Sequence, residues 1–115
     1  AKLIESVAFY KQGIVIAKGS TNAVSEQILI AQAADTLLSM EEVAAAFVVA
    51  KRDETTVSIS ARSLGDVNVQ IIMEALKGGG HLTNAASQMT GITVDEAVEQ
   101  LKQVIDDYLE GGAKE

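Results

Sequence analysis

From Val43 to Ala50 the chain runs through eight residues without a polar side chain, and this run constrains the fold more than any other segment. It falls well short of the roughly 18 to 20 apolar residues that a bilayer-spanning helix needs. It is rich in Val, Ala and Phe and has no helical periodicity, so it reads as a β-strand. The polar turn Arg52-Asp53-Glu54-Thr55 then leads into a second β-prone run. There Val57, Ile59 and Ala61 alternate with Ser58, Ser60 and Arg62, and the period of two puts the three polar side chains on one face. The pair is expected to form a central hairpin whose polar face meets solvent or a ligand.

Other elements group around this hairpin. Val7-Ala8-Phe9-Tyr10 and Ile14-Val15-Ile16-Ala17, separated by Lys11-Gln12-Gly13, predict an N-terminal hairpin. Val24, Ile28, Ala31, Ala34 and Leu38 recur at helical spacing behind the capping candidates Gly19-Ser20-Thr21-Asn22, which predicts a helix over about 23–39. Val69, Ile72, Met73 and Leu76 form an apolar stripe that predicts a helix over about 67–77, with Asp66 or Asn68 as cap and Gly78-Gly79-Gly80 as its stop. Ser87 to Thr90 is a weak candidate strand. Thr93 and Glu96 make a capping box for a last helix whose apolar face runs through Val94, Ala97, Val98, Leu101, Val104, Ile105 and Tyr108. Gly111 and Gly112 suit its end, and Ala113-Lys114-Glu115 is expected to fray. The expected architecture is α/β in the α+β sense: a central mixed sheet of about five strands with helices packed on it.

At 115 residues and 48% hydrophobic content, the chain suits one domain spanning 1–115. It has no initiator Met, and the expectation is a piece excised from a larger protein. The chain has no cysteine, which excludes disulfides, thiolate metal sites and thiol nucleophiles. A formal net charge of −7 opposes the broad basic footprint of a DNA or RNA binder. With Phe9, Tyr10, Phe47 and Tyr108 as the only aromatic residues, a stacking platform for single strands is equally disfavoured. Any anionic ligand must therefore be held locally, and a small phosphate-bearing ligand is compatible with this.

Two short motifs supply the means. Gly78-Gly79-Gly80 leaves the backbone bare, so its N–H groups can converge on an anion, although a helix-stopping turn reads the same way. No Gly-Lys-Ser/Thr follows, which excludes a Walker loop. His81 comes next, as the one histidine of the chain, able to donate to a phosphate oxygen or accept from one. Upstream, Arg62 offers a guanidinium fork suited to phosphate, with hydroxyls from Ser60 and Ser63 beside it; an exposed arginine at a strand end is the plainer alternative. Asn84 can reach a ligand or start a helix. The paired acids Glu41-Glu42, Asp53-Glu54, Asp95-Glu96 and Asp106-Asp107 look like a solvated surface. No catalytic residue and no metal ligand set is expected in this chain.

Taken in order, Ser60-Ala61-Arg62-Ser63, a short helix and Gly78-Gly79-Gly80-His81 resemble the DHH-associated domain, type 1. That domain follows the catalytic DHH domain in bacterial phosphoesterases and nucleases such as RecJ and the nano-RNases, and it has relatives in alanyl-tRNA synthetase. More narrowly, the blocks Ile30 to Leu38, Ser58 to Gly65 and Gly78 to Ala86 are similar to GdpP-type cyclic-di-AMP phosphodiesterases. The resemblance implies an enzyme that opens cyclic di-AMP to the linear dinucleotide, using manganese held by a DHH domain of the same chain that is absent here. It implies that Arg62, Ser60, Ser63, Gly78, Gly79, Gly80, His81 and Asn84 grip the phosphodiester across a cleft. It also implies a cytoplasmic domain in a parent anchored at the cell membrane, and it leaves room for a homodimer of that parent. The chain departs from the broader family at Leu82-Thr83, which lengthens the spacing to Ala85-Ala86, and at Ser87, where glycine is common; the contact carried over to Asn84 rests on that altered spacing. Two other readings stay open: a polymer-binding module like those of RecJ, the nano-RNases or alanyl-tRNA synthetase, and an assembly domain pairing through a sheet edge.

Overall fold

The computed structural model describes residues 4–19 and 27–111. In chain order the elements are β1 (Ile4–Phe9), β2 (Ile14–Gly19), α1 (Gln27–Leu38), β3 (Ala45–Lys51), β4 (Thr56–Ser63), α2 (Val69–Ala75), β5 (Gly79–His81), β6 (Asn84–Thr90) and α3 (Val94–Leu109). The strands form one sheet in the order β1-β2-β3-β4-β6-β5. β2 and β3 run parallel, with α1 in the connection between them, and the other neighbouring pairs are antiparallel. The expected mixed sheet with helices packed on it is therefore correct in kind, with six strands in place of about five.

β3 lacks polar alternation because both of its faces are covered. Ala45, Phe47 and Val49 pack into the core beneath α2 and α3. Ala46, Val48 and Ala50 pack toward α1, with Ile30, Ala34 and Leu37. The predicted first hairpin is present, and Gly13 at its turn has φ +80°, a conformation open to glycine at little cost. The N-terminal part of the predicted 23–39 helix and its capping candidates from Ser20 to Asn22 lie outside the described residues, as does the C-terminal Ala113-Lys114-Glu115.

α3 begins as the capping box requires: the Glu96 backbone N–H donates to Thr93 Oγ1 at 3.0 Å, and the Thr93 N–H donates to Glu96 Oε1 at 3.0 Å. Tyr108 on α3 accepts from the Asn68 backbone N–H at 2.9 Å, which ties α3 to the start of α2. Of the two cap candidates for α2, Asn68 is the one used. Its side chain accepts from the Ile71 N–H, while Asp66 stands exposed upstream and the helix proper starts at Val69.

Of the glycine triplet only Gly78 takes part in stopping α2, through its backbone N–H. The Gly78 N–H donates to Met73 O at 2.8 Å and the Lys77 N–H to Glu74 O at 3.0 Å, the paired bonds of a Schellman motif. The residue in the left-handed conformation is Lys77, with φ 67°. Gly79 and Gly80 have already entered β5, which pairs with β6. A strand built mainly of glycine opposes β propensity, so sequence pattern passes over it. β6 is correspondingly longer than the Ser87–Thr90 segment, starting at Asn84.

Candidate functional site

Ser60 and Arg62 alternate with Ile59 and Ala61 along β4, and their face is the one α1 packs on. α1 covers this face above β3 and β4. Further along the sheet it stops: Asn84, Ala86 and Gln88 of β6, on the same face, are exposed. The ladders align two rows that run from the α1-covered strand β4 out onto this open surface. Arg62 pairs with Asn84, and Asn84 with His81; Ser60 pairs with Ala86, and Ala86 with Gly79. Because directly opposed residues share a face, Arg62, Asn84 and His81 line up across three strands, with Ser60 and Gly79 in the next row.

Arg62 is held at two points. Its Nε donates to Asp35 Oδ1 on α1 at 2.8 Å and its Nη1 to Ala61 O at 3.0 Å. Among the described residues its Nη2 has no partner. The side chains of Ser60, His81 and Asn84 likewise bond no other described residue, and His81 and Asn84 are exposed.

The three glycines differ in what they are for. At Gly78 a Cβ would run into Ala86 O and lie 2.7 Å from Ser87 Cα. At Gly80, with φ +145°, a Cβ would come within 2.5 Å of Ala85 Cα and Asn84 O. Both positions let β5 close on β6. Gly79 has neither constraint: its φ is ordinary and a Cβ there would meet nothing within 4 Å. What its missing side chain leaves is bare backbone in the row beside Arg62 and His81.

Ser63 is not brought together with these groups. It pairs with Ala45 on the α2 and α3 side of the sheet, is 4% exposed, donates from Oγ to Val67 O at 2.6 Å and accepts from the Gly65 N–H at 3.1 Å. Its backbone N–H donates to Thr83 O at 3.0 Å, while the Val69 N–H, an orphan donor at the start of α2, is satisfied by Leu82 O at 3.0 Å. Ser63 thus helps seat the Leu82-Thr83 turn, and with it the hairpin that carries His81 and Asn84. Ser87, also buried, ties β6 to the end of α2 through Leu76 O at 2.7 Å.

Sequence reasoning passed over Asp35, although a single charged residue in the apolar helix Gln27–Leu38 is a visible signal. Among the described residues no group of three or more His, Cys, Asp or Glu side chains is placed to hold a metal ion, and no helix is long and apolar enough to cross a membrane.

The mixed sheet, the helices on either side and the polar face left open beyond α1 define an α+β module of the DHHA1 type; the DHHA1 domain family model matches residues 11–111, and the chain belongs to that family. It is 64% identical, over 99% of its length, to the cyclic-di-AMP phosphodiesterase GdpP of Bacillus subtilis, and 50% identical, over 96%, to the cyclic-di-AMP phosphodiesterase PdeA of Listeria monocytogenes. It spans only 18% and 17% of those two proteins. Among solved structures, an exopolyphosphatase-related protein from Bacteroides fragilis matches with a TM-score of 0.70 at 20% identity, covering 95% of this chain and 33% of that one. The C-Ala domain of Aquifex aeolicus alanyl-tRNA synthetase matches with a TM-score of 0.59 at 20% identity, covering 88% of this chain and 96% of that domain. These two likenesses establish the fold alone.

Proposed function

We propose that this module grips the phosphodiester of cyclic di-AMP for hydrolysis by a DHH domain of the same parent protein. The observation that carries the reading is the alignment of Arg62, Asn84 and His81 in one row of the sheet, running from under α1 onto its open face, in a chain of formal net charge −7. Similarity to cyclic-di-AMP phosphodiesterases of two genera supports the choice of ligand.

In this reading the Nη2 edge of Arg62 donates to a non-bridging phosphate oxygen, a charge-assisted bond stronger than a neutral one. Asn84 and His81 add donors along the row, Ser60 adds a hydroxyl beside it, and Gly79 lets the ligand approach the backbone. Together they fix the phosphodiester in place and stabilise charge developing on it. Manganese, which the resemblance implies for the DHH domain of the parent, finds no group of His, Cys, Asp or Glu placed to hold it among the described residues of this module. The parent is proposed to sit at the cell membrane, with this domain on its cytoplasmic side.

Two measurements test the reading. The purified 115-residue chain, supplied with manganese, is expected to show no turnover of cyclic di-AMP. The intact parent, titrated with cyclic di-AMP, short oligonucleotides and tRNA, is expected to prefer the cyclic dinucleotide. Preference for a polymer would replace the reading with a nucleic-acid-binding one.

A further inference from the structure

We infer that Asp35, on α1, is a positioning residue for Arg62, aiming the guanidinium at the phosphodiester. The inference rests on the phosphate-gripping reading of Arg62 given above.

The ion pair joins positions 27 residues apart, so it depends on how α1 lies across β4 and not on local sequence. Asp35 is the one charged side chain of α1, a helix otherwise committed to burying Ile30, Ala34 and Leu37. It directly follows Ala34, at the border of the covered and open halves of the sheet. Its partner is the more enclosed of the two: the Arg62 side chain is 14% exposed and that of Asp35 63%.

A guanidinium is planar and its donors are fixed relative to one another. Holding Nε through Asp35 and Nη1 through Ala61 O therefore fixes the direction of Nη2, which the protein leaves unpaired among the described residues. An arginine pinned before the ligand arrives loses less rotamer freedom on binding than one free to swing. An ion pair whose carboxylate is 63% exposed is largely solvent-screened and stabilises a fold little, so the effect of this one is expected chiefly in ligand recognition, with only a small change in melting temperature.

The test is a double-mutant cycle in the intact parent protein, reading kcat/KM for cyclic di-AMP with manganese and cyclic di-AMP affinity by calorimetry without it. Asp35→Ala is expected to lower both by about 5- to 50-fold, the scale of a misaimed contact. Asp35→Asn, which keeps an oxygen acceptor for Nε, is expected to recover to within about threefold of the parent. In an Arg62→Ala background, Asp35→Ala is expected to add less than about twofold, because the two residues act as one unit. If Asp35→Ala changes neither quantity while Arg62→Ala lowers both, the inference is overturned and the phosphate-gripping reading stands. If Asp35→Ala costs as much without Arg62 as with it, Asp35 acts elsewhere and the inference is again overturned. If Arg62→Ala itself changes nothing, the reading fails and takes the inference with it.

Discussion

Asn84 stands directly opposite Arg62 across the β4–β6 ladder, and 22 positions of sequence close into one row of the sheet. A one-residue slip in that ladder would turn Asn84 to the buried face and bring Ala85 beside Arg62. The register is held by the Leu82-Thr83 turn, whose carbonyls are taken by the Ser63 and Val69 N–H groups, and by the close approach of Gly78 and Gly80 to β6.

The glycines should separate by role. Gly80→Ala is expected to destabilise the module by about 2–4 kcal/mol, from backbone strain and collision with β6. Gly79→Ala is expected to change stability by less than about 0.5 kcal/mol while weakening cyclic di-AMP binding in the intact protein. Denaturant unfolding and calorimetry check the two halves; equal losses of stability at both positions would contradict the account.

Ser63 belongs to the fold. Ser63→Ala removes the buried bond to Val67 O and leaves that carbonyl without it, an expected cost of about 1–3 kcal/mol. At a temperature where the variant remains folded, affinity for cyclic di-AMP should fall far less than in Arg62→Ala.

Lys77 holds the left-handed position of the Schellman motif, where a side chain is a liability. Lys77→Gly is expected to stabilise the module by about 0.5–1 kcal/mol in denaturant unfolding. The gain would show that the left-handed position ending α2 is that of Lys77 and not of a glycine after it.

The β3–β4 turn should be sensitive to acid. The Thr55 backbone N–H, with further bonds from the Thr55 hydroxyl and the Thr56 N–H, holds the Asp53 carboxyl below its ordinary pKa of about 3.9. A carboxylate depressed in the folded state contributes stability above its unfolded pKa and loses it as pH falls through the folded one. The melting temperature of the unsubstituted 115-residue chain should therefore exceed that of Asp53→Ala at pH 7, with the gap closing below about pH 4.

How much of this was legible before the structure depends on the kind of information each feature carries. The hairpins around Gly13 and Asp53, the last helix and its capping box are written in local periodicity and turn chemistry, so the residues themselves announce them. That Ser58, Ser60 and Arg62 share one face of β4 was equally readable, but not that α1 covers much of that face and leaves Ser58 only 4% exposed, which corrects the expectation that the face as a whole meets solvent or a ligand. The row Arg62-Asn84-His81 was not, because strand pairing is a long-range choice that no local pattern encodes. Ser63 shows the same limit: it lies next to Arg62 in sequence, but the period of two carries it to the buried face. β5 escaped because glycines that serve close backbone approach look like glycines that end a helix. The Asp35 pairing escaped because it depends on where α1 lies across the sheet.

The most direct test of the central claim is kcat/KM for cyclic di-AMP in the intact, manganese-supplied parent protein carrying Arg62→Ala or His81→Ala, with melting temperature followed in parallel. Each substitution is expected to lower kcat/KM by about 10- to 1,000-fold, the loss of one contact worth roughly 1.5–4 kcal/mol, with little change in melting temperature. Unchanged kcat/KM in both variants would contradict a phosphate grip on this sheet face and leave an assembly role as the better account.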